Sequence, residues 1–155
     1  MNKRVNFWEF EDLQMVCYPM TIVAGKSMYN FPDKSILSCQ NACLVGFAIR
    51  DYDASRVSIN GTGLVSAAFI KKSFLKFNTD TGTTFYQDLP MEWAIGKFDG
   101  GRENFMLRFP LHGIDMTNSG FRLADSTELA ANAGKDLETF WFFVDGDNYP
   151  RQKVL

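Results

Sequence analysis

The sequence has little of the side-chain chemistry that common catalytic schemes require. Its only histidine, His112, lies between Pro110 and Gly113, which places it at a strand end or in a turn. A serine or cysteine nucleophile needs a base beside it, and the sequence singles out no such partner for His112. Both glycine patterns that bind phosphate, G-x-x-x-x-G-K-S/T and G-x-G-x-x-G, are missing. We therefore predict that the chain is not an enzyme, with no catalytic residue and no cofactor.

Cysteine is also scarce, with only Cys17, Cys39 and Cys43 in the chain. An odd number of cysteines argues against a disulfide framework and fits a reducing compartment. The C-x3-C spacing of Cys39 and Cys43 resembles part of a zinc site, but only Cys17 and His112 remain to complete the four ligands that zinc prefers. We predict no metal site, and we interpret the cysteines as small buried hydrophobic residues.

Long apolar runs and basic clusters are missing as well. No stretch approaches the roughly 18 apolar residues of a membrane-spanning helix. Acidic residues interrupt the segment after Met1, so we predict no signal peptide and synthesis in a cytoplasm. The net charge is −2, and the longest basic runs are Lys3-Arg4 and Lys71-Lys72. Runs this short do not follow a phosphate backbone, so we predict no nucleic-acid partner.

Carboxylates are plentiful, with 18 Asp and Glu, but their spacing is not diagnostic. Asp51 and Asp53 flank Tyr52, and a glycosidase needs two carboxyls roughly 5 to 10 Å apart in a cleft. The stretch Asp145–Asn148 begins like a calcium loop but lacks the glutamate at position twelve. We therefore interpret these carboxylates as turn and solubility residues. A small enzyme that uses carboxylates or His112 remains the least favoured of three functions considered for the chain.

Aromatic side chains are what the sequence has in abundance: they form 15% of the chain and include fifteen Phe. Aromatic residues favour strands and bury large areas, so this composition indicates β structure. Trp141 lies in a dense hydrophobic run and is predicted to be core. Trp8 and Trp93 stand near the ends of predicted elements, beside acidic residues, and are predicted to be partly exposed. Either packing at an interface or contact with a ligand fits these two.

Strand patterns recur along the chain. Residues Ala42 to Arg50 are apolar at both alternating sets of positions, which predicts a strand inside a sandwich. Two β-rich runs, Ser66 to Phe77 and Thr83 to Leu89, flank the turn signal Asn78 to Gly82 and predict a hairpin that ends at Pro90. Further strands are predicted at 15–23, 27–31, 57–59, 104–109, 120–123 and 137–144.

One short helix is predicted near residues 126–133. Asp125 to Glu128 has the pattern of a capping box, and Gly134 stands where a glycine ends a helix. Turn signals precede and follow other elements, notably at Asn60 to Gly63 and Asn118 to Gly120. No alternating strand–helix–strand pattern occurs, which argues against a doubly wound fold.

The predicted fold class is therefore all-β, an antiparallel β-sandwich. A jelly roll is our first choice and an immunoglobulin-like sandwich our second. No internal repeat or linker is visible, so residues 1–155 are predicted to form a single β-sandwich domain. Residues 1–14 are a candidate N-terminal arm, with the alternative that they contain an ordinary first strand.

Between Ser66 and Val144 the order of features resembles a known family. The hairpin SFLKFNTDTGTTFYQDLP is followed by an aromatic loop, then Ile114 to Phe121 and a hydrophobic final strand. This order is similar to that of the small jelly-roll structural proteins of bacteriophage particles. The resemblance implies a virion component, namely a capsid, penton or decoration subunit, that works through oligomerisation with other protein subunits.

The candidate contact residues are aromatic. Phe7, Trp8 and Phe10 lie in the candidate arm, and Trp93 follows the predicted hairpin. In a structural subunit these residues would anchor an interface with a neighbour, in a homo-oligomer or a larger shell. In the alternative, a β-sandwich binding module, Trp8 or Trp93 would form a platform for a carbohydrate or peptide.

Overall fold

The computed structural model describes residues 13–39, 41–53, 55–96, 107–109 and 113–146. Within them the strands are β1 (Gln14–Thr21), β2 (Met28–Asn30), β3 (Ala42–Arg50), β4 (Ser73–Thr79), β5 (Thr84–Pro90), β6 (Ile95–Gly96), β7 (Leu107–Arg108), β8 (Ile114–Leu123) and β9 (Asp136–Asp145). The α-helices are α1 (Ala67–Lys71) and α2 (Ser126–Asn132), and short 3-10 helices cover Lys34–Ile36 and Met91–Ala94.

The strands form two sheets that pack face to face. The first sheet has the order β1-β9-β3-β6, with β7 also paired to β3, and the second has the order β2-β8-β4-β5. All these pairings are antiparallel except the short one between β3 and β6. The predicted all-β sandwich is therefore confirmed. The antiparallel pairs include β1 with β9, β2 with β8, β3 with β7 and β4 with β5, so they are nested along the chain.

Aromatic rings fill the space between the sheets. The Phe47 ring, from the first sheet, lies 5.1 Å from the Phe77 ring of the second, and the Trp141 ring lies 4.8 Å from Phe47. Phe31 packs edge-on against Trp141 at 4.9 Å. The indole N–H of Trp141 donates to Thr139 Oγ1 at 2.9 Å, so the buried indole keeps a hydrogen-bond partner. The prediction that Trp141 belongs to the core is confirmed.

Strands β3 and β9 are buried on both faces. In β9, Trp141 and Phe143 point between the sheets, while Phe140 and Phe142 belong to a second apolar cluster on the opposite face. This second cluster also contains Val45, Ala48 and Val144. Because the run Phe140 to Phe143 alternates between two apolar environments, four consecutive aromatic residues are compatible with one strand.

The hairpin β4–β5, strand β3 and helix α2 lie where the sequence predicts them. In α2 the Asp125 carboxylate accepts a hydrogen bond from the backbone N–H of Thr127 at 2.9 Å, and Gly134 has a φ of 80°. Glycine adopts this left-handed conformation without the steric cost of a Cβ, which is why it ends the helix. Strand 104–109 is described only from Leu107, and 57–59 contributes a single bridge, between Val57 and Gly63.

Two local predictions are wrong. The strand predicted from Ser66 starts at Ser73, because the Ser66 hydroxyl caps α1 by accepting from Phe69 N at 3.2 Å, and α1 buries Phe69 and Ile70. The turn predicted at Asn118 to Gly120 lies inside β8. Gly120 is needed there because the β2 backbone passes next to it.

Candidate functional site

The structure describes one of the four aromatic residues predicted to make contacts. Trp93 lies in the 3-10 helix after β5 and is 63% exposed, so its predicted exposure is confirmed. Phe7, Trp8 and Phe10 lie outside the described residues, as does His112.

Among the described residues, Phe85 is a further exposed aromatic, at the opposite end of β5 from Trp93. Strands rise about 3.3 Å per residue, so roughly 16 Å of β5 separates the backbone of Phe85 from that of Pro90, where the 3-10 helix with Trp93 begins.

The most highly connected polar side chain in the described residues is Asp136, at the start of β9. It is fully buried, and hydroxyl groups surround its carboxylate. Thr21 Oγ1 donates to Oδ1 at 2.7 Å, and Ser58 Oγ and Thr62 Oγ1 each donate to Oδ2 at 2.7 Å. Asn60 Nδ2 completes the set at 3.3 Å from Oδ2. We call these five residues the Asp136 cluster.

Hydrogen bonds hold the Asp136 carboxylate in its ionised form. Burial by itself would raise the pKa of Asp136, but hydrogen bonds from Thr62, Ser58, Thr21 and Asn60 outweigh it and bring the pKa below its ordinary value. A carboxylate whose oxygens already accept several hydrogen bonds is a weak base and has little capacity left for a substrate. The arrangement is suited to fixing the chain and unsuited to general acid–base catalysis.

Glu138 lies two residues after Asp136, on the same face of β9, and is also buried. Arg50 Nε forms a close ion pair with Glu138 Oε2, and the backbone N–H of Ile59 donates to Oε1 at 2.7 Å. The Arg50 guanidinium also lies over the Phe140 ring, 5.3 Å from its centroid. The negative charge of Glu138 is therefore matched by a cation, whereas the donors that the structure describes around Asp136 are neutral.

Asp136 and Glu138 together anchor residues 57–63, which we call the 57–63 hairpin. Its ends meet at the bridge between Val57 and Gly63, and Ser58 N donates to Thr62 O at 2.6 Å. Alternation directs the polar side chains at 58, 60 and 62 toward Asp136. Val57 and Ile59 point outward instead, with 65% and 69% of their surface exposed. The buried carboxylates thus hold two aliphatic side chains in a defined position at the surface.

The sequence contains a signal for this cluster that pattern reading missed. Asp136 and Glu138 are two acidic residues at alternate positions at the start of a largely apolar strand, which places them on one face of it. Ser58, Asn60 and Thr62 repeat the same alternation with hydrogen-bond donors. A buried acid needs such donors, so the two patterns are complementary, but nothing local pairs one with the other.

Asp51 and Asp53, the carboxylate pair considered from the sequence, serve local turns. Asp51 Oδ1 accepts from Tyr52 N at 2.8 Å. Asp53 accepts from Ser55 N and Oγ, and these hydrogen bonds lower its pKa below the ordinary value. In the described part of the chain, no group of three or more His, Cys, Asp or Glu side chains is arranged to hold a metal ion.

The three cysteines are half-buried, less than the buried positions that the sequence predicts for them. Each lies on or beside the sheet and packs against one of the two apolar clusters. Burial, reinforced by the nearby charge of Glu138 and opposed by Arg50, raises the pKa of Cys17 to about 11. Cys17 is therefore a thiol, not a thiolate, at neutral pH.

Cys17 is expected to react slowly with iodoacetamide at about pH 8. The thiolate is the nucleophile, and a pKa raised by about two units reduces its population roughly 100-fold relative to an exposed thiol. Mass spectrometry of the peptide that contains Cys17, sampled over time, measures the rate. Protein unfolded in urea provides the control, in which Cys17 is expected to react at the ordinary rate. Equal rates in the folded and unfolded protein would contradict the assignment.

Wild type is expected to be more stable than the Asp136→Asn variant at neutral pH. This difference in the free energy of unfolding is expected to shrink as the pH falls. Because the folded pKa of Asp136 lies below its unfolded value of about 3.9, the ionised carboxylate stabilises the fold fully above that pH. This stabilisation is lost as the pH falls through the folded pKa. Urea unfolding of both proteins, at steps from neutral pH to below about pH 4, measures the difference, and the subtraction removes contributions from other carboxylates. A difference that does not change with pH would exclude this origin.

Among the described residues, no helix has the length and apolar character needed to cross a membrane. Comparison of the chain with models of protein families, with curated proteins and with solved structures finds no match.

Proposed function

We propose that the chain is a non-enzymatic structural subunit of a bacteriophage virion, of the capsid, penton or decoration type. In this proposal it folds as a jelly roll and acts through protein–protein assembly with copies of itself or with other subunits. It is made in the host cytoplasm and reaches the virion by assembly.

The observation that carries the proposal is the nested order of the strand pairs. Pairing β1 with β9, β2 with β8, β3 with β7 and β4 with β5 is what results when one long antiparallel ribbon folds over into two sheets. A jelly roll consists of eight strands in two Greek keys, and viral capsid domains are among the proteins that use it. An immunoglobulin-like sandwich instead pairs its first two strands with each other. The observed order supports the jelly roll over that alternative.

A fold alone does not define a function, so the surface must support the proposal as well. The surface of this protein favours assembly over catalysis. The two buried carboxylates of the first sheet already have partners, namely hydroxyl donors for Asp136 and the Arg50 cation for Glu138, which leaves them little capacity to act on a substrate. On the outside, the 57–63 hairpin presents Val57 and Ile59, and Met15 and Val23 are also half-exposed or more. Exposed aliphatic side chains held by a rigid framework are suited to contact with another protein.

Size-exclusion chromatography with light scattering tests the proposal across a wide range of protein concentration. We expect species larger than a monomer, either for the chain alone or after mixing with capsid proteins of the phage that the proposal implies, and particles visible by negative-stain electron microscopy. A chain that stays monomeric at high concentration and fails to bind any of those capsid proteins would contradict the proposal.

The alternative function is a β-sandwich module that binds a carbohydrate or peptide, and the exposure of Trp93 is the observation in its favour. Aromatic rings at a surface stack on sugar rings. A glycan array probed with wild type, Trp93→Ala and Trp93→Phe distinguishes this function. Binding that Trp93→Ala abolishes and Trp93→Phe retains would support the module, with Phe85→Ala as the control for an exposed aromatic residue elsewhere. An array without signal would contradict the carbohydrate form of this alternative.

A further inference from the structure

The edges of the two sheets differ in how they are protected against pairing with another chain. Strand β2 has three residues, and the described parts of β6 and β7 have two each, so where the structure describes them these edges are too short to serve as templates. Strand β5 is longer, but its pairing with β4 shifts register twice and Asp88 adopts a φ of 51°. Short, irregular edges of this kind are how proteins avoid unwanted strand addition.

Strand β1 is the exception. It has eight residues in continuous register with β9, and within the described residues its other side pairs with no strand. The strand QMVCYPMT contains no charged residue, although charges are the usual protection of an exposed edge. Met15, near its start, is 50% exposed. A long, regular, uncharged edge is the kind of surface that recruits a further strand.

The hydrogen bonds of Ile22 show which backbone groups of β1 face outward. Ile22 N donates to Lys135 O at 2.9 Å and Ile22 O accepts from Gly134 N at 2.8 Å, so Ile22 faces the β9 side. Backbone direction alternates along an antiparallel strand. The N–H and C=O groups of Met15 and Cys17 therefore point away from β9.

Pro19, like Met15 and Cys17, is a residue of β1 whose backbone faces away from β9. It has no N–H, which leaves the pairing with β9 intact but removes a donor from the outer edge. Pairing with a further strand is therefore confined to the N-terminal part of β1, residues 14–18.

We propose that β1 pairs antiparallel with β1 of a second copy, through the backbone of Met15 and Cys17, and joins the first sheets of two subunits across a two-fold axis. A second copy is the fitting partner because antiparallel pairing of a strand with itself is self-complementary. The absence of charge in β1 removes the like-charge repulsion that would otherwise oppose it. The proposal rests on the proposed function, for which it names an interface.

The test compares Met15→Lys and Met15→Glu with the matched control Met28→Lys, which changes an exposed methionine on the edge of the other sheet. Paired residues near the two-fold axis bring both copies of position 15 within reach of each other, at most about 7 to 8 Å apart. We expect each Met15 variant alone to raise the dissociation constant of self-association at least about tenfold, through like-charge repulsion. Met28→Lys is expected to match wild type.

Mixing Met15→Lys with Met15→Glu provides the decisive measurement, because opposite charges attract across the same axis. We expect the mixture to recover association in analytical ultracentrifugation, a result that misfolding of either variant would not produce. Wild-type association that Met15→Lys leaves unchanged would overturn the β1 interface while the proposed function stands. A wild-type chain that is monomeric alone but joins particles of capsid proteins would also overturn only the interface. Failure to associate with any of these proteins would contradict the proposed function itself.

Discussion

Replacing Asp136 with alanine is expected to lower the free energy of unfolding by about 3 kcal/mol or more. The substitution leaves the hydroxyls of Thr21, Ser58 and Thr62 without the acceptor that each contacts at 2.7 Å. A hydrogen bond to a charged group contributes about 1.5 to 3 kcal/mol, and a buried donor left unsatisfied costs about 1 to 3 kcal/mol. Ser58 and Thr62 already contact each other at 2.9 Å, which offsets part of the loss.

This loss is large for a domain whose total stability is expected to be about 5 to 15 kcal/mol. Urea unfolding followed by tryptophan fluorescence, to which the buried Trp141 contributes, measures it as a shift of the midpoint. Asp53→Ala is the matched control, since it removes an exposed carboxylate that serves a local turn and a solvent-exposed ion pair with Arg56. Exposed ion pairs contribute little to stability, so this variant is expected to unfold close to wild type. If Asp136→Ala unfolded at the wild-type midpoint, the Asp136 cluster would not be a source of stability.

Hydrogen exchange locates the same effect in the chain. The 57–63 hairpin is attached to β9 through the side chains around Asp136 and through Ile59 N on Glu138. We expect Asp136→Ala to speed exchange of the Ser58 amide, which donates to Thr62 O inside the hairpin. The outward positions of Val57 and Ile59 depend on this attachment, so the variant also tests whether the hairpin contributes to assembly.

Gly120→Ala is expected to destabilise the protein by about 2 to 3 kcal/mol through a steric clash. A Cβ at position 120 would lie 1.9 Å from the backbone oxygen of Tyr29 and 2.9 Å from its carbonyl carbon. Neither atom can rotate away, so β2 must separate from β8. That separation would also disturb the stacking of Tyr29 on Phe121, whose rings are 4.8 Å apart.

Gly63→Ala is the control for this substitution. The nearest atom to a Cβ at position 63 is Lys135 Cγ, at 3.8 Å, which is an ordinary contact with a flexible side chain. Both variants lose the same backbone freedom in the unfolded state, so the difference between them isolates the clash. Equal unfolding midpoints for the two variants would show that β2 adjusts without cost.

Much of the fold could be predicted because the relevant information is local. Strand β3 is apolar at successive positions, and a turn signal joins β4 to β5. The signals for α2 lie within about ten residues, from the cap at Asp125 to Gly134. In each case the side chains that determine the conformation are neighbours in the chain, so a pattern of a few residues contains the physical cause.

The sequence predictions are wrong where a residue distant in the chain determines the local conformation. Asn118 to Gly120 has the composition of a turn, yet it continues β8 because Tyr29 of β2 lies against it. Ser66 starts a helix within a run of strand-forming residues, and Asn132, sixty-six residues further on, accepts a hydrogen bond from its backbone N–H at 2.8 Å. Packing of Phe69 and Ile70 in the core then outweighs β propensity.

The sequence by itself determined that this is an all-β sandwich with an aromatic core, because alternation, aromatic content and turn residues act over short distances. Only the tertiary structure decided the nested strand order, the position of the Asp136 cluster and the exposed edge at β1. Asp136 meets Ser58 across 78 residues and Thr21 across 115, and no local pattern selects one such pair among many. An edge, likewise, is defined by which strand has no neighbour, and that depends on how the whole chain is arranged.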